Sequence, residues 1–291
     1  MIKGGLIKMA ETKVVPVSAS YCEAITSWCT RLLITAKNYE WAENSAVELC
    51  GFSESAIERR ASESETPDGR QGVYVQLHNY TRAALKGMML ARASQTVLTC
   101  PTTTLFNAIS EDSEKRYKLG KGFSMFGEGF QKLEKKWDRD MYSVPVMEGL
   151  FWLEEKYGLR RGVVGVGLIF TGKDQKALVD FAANVTAKLK AEPLKIILPH
   201  PGNSVRFGEA LAATRLSNLG VCAKFEALKE PNAEVVFNAI SPIQAACAID
   251  TVKGMAKEAG VKLHGRTYGN CLRGMYDDEG YALREIFYLE D

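Results

Sequence analysis

One order of patterns occurs twice in this chain, and it leaves few folds open. Residues 31–36 (RLLITA) form a short apolar run that reads as a strand. Residues 39–49 are rich in Ala and Glu, stop at Gly51, and read as a helix. Residues 55–62 read as a strand, and residues 72–77 alternate apolar with polar as a half-buried strand does. Between them residues 65–70 (ETPDGR) form a turn, because Pro67 presets φ and Asp68-Gly69 supply turn geometry. Residues 81–93 are helical in pattern, and residues 96–99 are expected to form a short strand stopped by Pro101. The second half repeats the order: a strand at 162–170, an amphipathic helix at 173–190, strands at 194–198 and 233–240, a helix at 242–258 opening with Pro242, and a strand at 261–266.

Strand–helix–strand–strand–helix–strand is the split βαβ arrangement of ferredoxin-like folds. The expected architecture is therefore α+β, two ferredoxin-like lobes from a duplicated unit, the first over residues 1–148 and the second over 149–291. The segment between the two repeats carries strand-like aromatic pieces at 122–130 and 142–152. The second lobe carries a long insertion at 199–231, with Pro-His-Pro-Gly-Asn-Ser at 199–204 and a run of small residues at 208–213. Thirty residues without regular structure inside a compact domain usually serve a function. This one is expected to reach the first lobe or a neighbouring subunit.

Composition narrows the function. Apolar residues make up 46% and charged residues 25%, ordinary for a soluble globular chain. Lys and Arg number 37 against 35 Asp and Glu, so no strong net field draws the chain to nucleic acid or to an acidic membrane. The apolar runs at 163–170 and 195–199 fall far short of the ~20 residues that span a bilayer. With no apolar run of signal-peptide length near the N-terminus, a cytoplasmic location is expected. Seven cysteines without a C-x-x-C pair read as small buried hydrophobes in a reducing compartment. His78, His200 and His264 lack metal-pair spacing, so no zinc site is expected. There is no G-x-S-x-G elbow and no phosphate-binding G-x-x-x-x-G-K-[ST]. The strands at 72–77 and 233–240 lack the interleaved aromatic and basic residues of an RNA-binding sheet. Gly165-Val166-Gly167 lies inside a strand and reads as close packing or a bulge.

Two places could carry chemistry. Phe126-Gly127-Glu128-Gly129-Phe130 is either a flat wall for a planar ring or a sharp bend between packed aromatics. Glu234 stands among Ala233, Val235, Val236 and Phe237. A carboxylate buried among apolar neighbours has a raised pKa suited to acid–base work, whereas at a water-facing edge it is only solubilising. Strand alternation puts Glu234 and Asn238 on one face.

These stretches together resemble formylmethanofuran:tetrahydromethanopterin formyltransferases. The resemblance rests on Arg31-Leu-Leu-Ile-Thr-Ala36, Glu65-Thr-Pro-Asp-Gly-Arg70, Cys100-Pro101-Thr102, Phe126-Gly-Glu-Gly-Phe-Gln131, Val144-Pro145-Val146, Pro201-Gly202, Glu234 with Asn238, and Gly269-Asn270. It is dense in the first lobe and thin in the second. It implies a formyl transfer from formylmethanofuran to N5 of tetrahydromethanopterin, with these two coenzymes as substrates and no prosthetic group. It implies Glu234 as the active-site carboxylate, with Phe126, Gly127, Gly129, Pro201, Gly202, Asn203, Ser204 and Asn238 as the substrate-binding set. It also implies a homo-oligomer, dimer or tetramer, or membership of a formyltransferase/hydrolase complex, and the aromatic pairs Phe151-Trp152 and Phe287-Tyr288 are expected to need such cover. Leu168, Glu209 and Arg273 stand where the family has small residues, and are expected to narrow the coenzyme path. A catalytically weak scaffold or coenzyme-binding subunit is the alternative.

Overall fold

The computed structural model of the chain describes residues 21–51, 55–109, 115–147, 149–173, 175–191, 197–199, 205–207, 232–265 and 284–288. The first half runs β1 (Tyr21–Thr35), α1 (Tyr39–Cys50), β2 (Ala56–Ala61), β3 (Gly72–Asn79), α2 (Arg82–Thr96) and β4 (Thr104–Asn107). β5 (Lys115–Tyr117), a short turn of helix α3 (Gly120–Phe123) and the ribbon β6 (Lys132–Lys136), β7 (Arg139–Val146) and β8 (Gly149–Glu154) follow. The second half runs β9 (Tyr157–Thr171), α4 (Gln175–Ala191), β10 (Ile197–Pro199), β11 (Val205–Phe207), β12 (Asn232–Ala239), α5 (Pro242–Ala259) and β13 (Lys262–Gly265), and β14 (Arg284–Tyr288) closes the chain.

Among the described residues all fourteen strands belong to one ladder system built around β1 and β9, β5 joining it on β9 from Lys115↔Leu159 to Tyr117↔Tyr157. β1 pairs antiparallel with β3 and with β4, and β3 pairs with β2. β9 pairs antiparallel with β12 and with β13, and β12 pairs with β10. The pairing order is therefore β4-β1-β3-β2 in one half and β13-β9-β12-β10 in the other. The halves join where β1 and β9 lie antiparallel, from Ile25↔Val164 to Cys29↔Arg160. Each of these strands has fifteen residues, long enough to serve both halves at once.

The elements follow local chemistry. Asn38 caps α1, its Oδ1 accepting from Trp41 N, and Gly51 ends the helix at φ 58°. Thr81 and Ser241 cap α2 and α5 in the same way, with Pro242 in the first turn of α5. Leu32, Ile34, Val73, Val75 and Leu77 pack under α1 and α2; Val166, Leu168, Phe170 and Phe237 pack under α4 and α5.

Four expectations change. No strand forms at 96–99: α2 continues to Thr96, and the Thr96 and Thr99 hydroxyls bond back to the carbonyls of Arg92 and Gln95. The strand starts only at Thr104. Residues 122–130 are not extended either, because Glu128 and Gly129 both take positive φ and Phe130 N closes onto Gly127 O. Leu168 does not line a coenzyme path; it is fully buried in the core of the second half, while Glu209 and Arg273 lie outside the described residues. Phe151 and Trp152 need no partner chain, since the chain's own core covers them; the side chains of Phe287 and Tyr288 are not described. Of the cysteines whose side chains are described, Cys29 and Cys50 are buried, Cys100 is half-buried and Cys247 is exposed; burial pushes the Cys50 thiol up to about 12. Among the described residues no helix is long and apolar enough to cross a membrane, and no group of three His, Cys, Asp or Glu could hold a metal ion.

Gly162 tests the seam. It stands opposite Ser27, and a Cβ there would meet Cys29 Sγ at 2.8 Å and the Ala239 carbonyl at 2.9 Å. Gly162→Ala is expected to cost about 1–3 kcal/mol in urea unfolding. Gly87→Ala and Gly254→Ala, in open helical positions, should each stabilise by about 0.4–1 kcal/mol. Equal effects at all three would show the seam is not tightly packed.

Candidate active site

A cleft of about 900 Å³ opens over the first half of the sheet, lined among others by Arg31, Tyr74, Asn107, Trp137, Arg139 and Glu154. Its floor begins with a bulge. β2 pairs with β3 at Ile57↔Val75 and again at Arg59↔Tyr74, so Glu58 is an extra residue with no opposite number. A bulge re-aims its side chain. Here Glu58, almost fully buried, takes the Arg31 guanidinium in a fork, Nε and Nη2 each at 2.7 Å. Two parallel charge-assisted bonds are strong and directional, and a buried charge needs such a partner. Gln76 Nε2 donates to Glu58 at 3.0 Å. Its Oε1 lies 3.1 Å from His78 Nε2, and His78 Nδ1 lies 3.1 Å from Ser27 Oγ. A buried polar row thus runs from the cleft floor to Ser27 at the seam. Arg31 also lies over the Tyr74 ring, 4.0 Å from its centroid.

The far wall is the β6–β7 hairpin. Trp137 and Asp138 form its two-residue turn, both at positive φ, 52° and 58°. That turn favours Asn-Gly, and a tryptophan there is strained. It is held by edge-to-face contacts with Phe106 at 5.6 Å and Trp152 at 5.8 Å. Beside it Glu154 accepts from Arg139 Nη1 at 2.7 Å and from Asn107 N at 2.9 Å. Burial pushes its carboxyl above the usual range, against the opposing pull of Arg139 and the Asn107 amide.

The Glu65–Arg70 stretch forms the rim and also locks it. Asp68 Oδ2 accepts from Thr35 Oγ1 at 2.6 Å and from Arg70 Nε at 2.9 Å, and Arg70 reaches Thr104 Oγ1 at 2.7 Å. The turn thereby ties the ends of β1, β3 and β4 together. Two stretches that carry the family resemblance, 31–36 and 65–70, so converge on one cleft through Arg31, Leu33, Glu65, Thr66 and Pro67.

The residues singled out from the sequence lie elsewhere. Phe126 is 61% exposed, on a loop that Gln131 braces by accepting from Gly129 N; Gly127 is buried against Gln131. Glu234 stands on β12 opposite Ile169 of β9 and Arg206 of β11, and its side chain is not described. Asn238 is buried and accepts from Gly165 N at 2.9 Å. Pro201, Gly202, Asn203 and Ser204 lie outside the described residues. β9 and β4 lie end to end along one edge of β1, with β12 beyond β9 and with β8 and then β7 beyond β4; the Phe126 loop packs against β7. Glu58, Arg139 and Glu154 were missed because their pairing crosses elements: no spacing announces a bulge at Glu58, and Arg139 and Glu154 lie just outside the strand-like piece at 142–152.

A family model described as formylmethanofuran-tetrahydromethanopterin formyltransferase matches residues 10–146. A protein of that name from Methanosarcina acetivorans is 36% identical over 217 residues, 72% of each chain. The chain belongs to this formyltransferase family. Relatives of the same name in Methanocaldococcus jannaschii and Methylobacillus flagellatus are 34% identical over 68% of each chain and 35% identical over 68% and 69%. The solved formyltransferase of Methanosarcina barkeri superposes with a TM-score of 0.76 at 27% identity, over 94% of this chain and 97% of that one. A formyltransferase/hydrolase complex from Methylorubrum extorquens with methylofuran has the same fold, with a TM-score of 0.76 at 23% identity over 94% and 96%.

Glu65 gives a pH test of the rim. Its bonds to Arg59 and to the Ser62 amide and hydroxyl lower its carboxyl from 4.5 to about 2. A carboxyl depressed in the folded state stabilises above its unfolded value, and that contribution fades as pH falls from about 4.5 towards 2. Glu65→Gln should flatten the stability profile in that window and leave it parallel to wild type above pH 6. An unchanged acid limb would show that the bonds do not hold the carboxylate in solution.

Proposed function

We propose that this chain transfers a formyl group from formylmethanofuran to N5 of tetrahydromethanopterin, with both coenzymes as its substrates. The observation that carries this is the family membership, which extends over two thirds of the length at one third identity. Transfer between two amines passes through a tetrahedral intermediate. It needs a donor facing the developing oxyanion and a group that moves a proton between the nitrogens. Glu234 is the proposed acid–base. Phe126, Gly127, Gly129, Pro201, Gly202, Asn203 and Ser204 are the proposed substrate contacts; Asn238, whose Oδ1 is committed to Gly165, takes a different part. Glu234→Gln should lower turnover by roughly 10²- to 10⁴-fold in a formyl-transfer assay with both coenzymes. Near-normal turnover would remove Glu234 from the mechanism, and coenzyme binding without turnover in the wild type would favour a scaffold role.

We read the two halves as ferredoxin-like lobes from a duplicated unit, on the strength of their matching pairing orders. The division is placed near residue 155 rather than at 148, because Val146↔Gly149 joins β7 to β8 and a cut there would split the hairpin.

The protein is further proposed to act as a homo-oligomer. Seven of the eleven exposed large apolar side chains among the described residues fall between 125 and 150: Met125, Phe126, Phe130, Leu133, Val146, Met147 and Leu150. Exposed apolar residues gathered in one region mark an interaction surface. Wild type should run as a dimer or larger by light scattering at tens of micromolar, and Phe126→Asp with Met147→Asp should shift it to smaller species. A wild-type monomer would overturn the proposal.

A further inference from the structure

Asn238 holds a defect in the sheet, and we propose that through it Asn238 is a positioning residue that sets the register of the strand carrying Glu234. This rests on the reading of Glu234 as the acid–base. β9 and β12 pair in step from Asn232↔Thr171 to Phe237↔Val166, and the next pair is Ala239↔Val163. Three residues advance along β9 against two along β12. The extra residue is accommodated at Gly165, whose φ of 68° only glycine adopts without strain.

The bulge has a directional consequence. In an unbroken strand Val163 and Val166 would face opposite sides of the sheet. Here both are fully buried in one core with Phe237 and Ala239. The bulge therefore turns the second part of β9 so that Val166, Leu168 and Phe170 meet α4 and α5 while the first part still pairs with β1. It also takes Gly165 N out of the ladder. Asn238 Oδ1 accepts that N–H at 2.9 Å, and at 1% exposure water has no access to replace it.

The bond runs from a β12 side chain to the β9 backbone, so it pins one strand against the other. A slip of one residue between them turns every β12 side chain to the other face, Glu234 included. Glu234 is four residues from the clamp, about 13 Å along the strand. Displacing a reacting group by about an ångström can cost 10²-fold in rate. Asn238 therefore acts on the reaction without touching substrate.

The test pairs two independent ways of loosening the clamp. Asn238→Leu removes the acceptor, and Gly165→Ala strains the bulge. Each is expected to lower kcat about 10- to 100-fold with KM within about threefold. Because both act through one element, the double variant should be no slower than the slower single, a coupling that independent sites do not show. Asn238→Asp keeps an acceptor and should recover most of the rate, and with Gly165→Ala it carries the test if Asn238→Leu does not fold. A folded Asn238→Leu with wild-type kcat, or losses that multiply in the double variant, overturns the clamp. Glu234→Gln run beside them separates the two readings. If it is slow while the clamp variants are normal, the clamp alone fails. If it turns over normally, the acid–base reading fails, and the clamp's route to the chemistry with it.

Discussion

The pairing of β1 with β9 is the constraint on which this structure turns. Five residue pairs, Ile25↔Val164 to Cys29↔Arg160, join two halves that otherwise have separate cores. Each strand spends one part of its length on this seam and another on its own half, and the leading end of β1 pairs with β14. The seam admits no bulk: Ser27 faces Gly162, and the space over Gly162 is taken by Cys29 Sγ and the Ala239 carbonyl. Because the seam is made of backbone hydrogen bonds, the placement of one half against the other along it is as fixed as a register. A site that drew on both halves would inherit that rigidity.

Both halves place polar groups by the same device. In the first, an extra residue in β2 turns Glu58 inward to meet Arg31. In the second, an extra residue in β9 is capped by Asn238. A regular ladder cannot do this, since its side chains alternate and its backbone groups are all used. Each bulge releases one position from that rule and is then held by a buried hydrogen bond. The first half adds a buried row through Gln76 and His78 to Ser27, in which each group satisfies the next.

Much of the fold was legible in the sequence, and the legible parts share a cause. Helices α1, α2, α4 and α5 announce themselves by composition and pattern, α1 also by the stop at Gly51 and α5 by Pro242 in its first turn. Strands β3, β9 and β12 have apolar runs long enough to read. The errors fall where local pattern competes with a local hydrogen bond. Thr96 and Thr99 are β-branched, yet their hydroxyls serve the helix carbonyls. The aromatics around residue 126 suggest extension, yet Glu128 and Gly129 reverse the chain. The glycines at 165 and 167 did indicate close packing or a bulge, and Gly165 makes one. What no local pattern holds is which distant residues meet. Arg31 finds Glu58, and Arg139 finds Glu154, only once the strands are in register.

The ends of β1 have a bearing on how the chain is made. Residues Tyr21 to Ile25 pair with β14, whose last strand residue is Tyr288, and Ile25 to Cys29 wait for β9. β1 therefore acquires part of its pairing from residues more than 250 positions further along the chain. Until then the backbone of residues 21–27 is an unpaired strand edge, the kind of surface on which chains associate wrongly. Contacts this distant in sequence also form slowly, because the intervening loop must close before they give anything back. The first half therefore stays an unfinished sheet until residues 157–171 and 284–288 have been made.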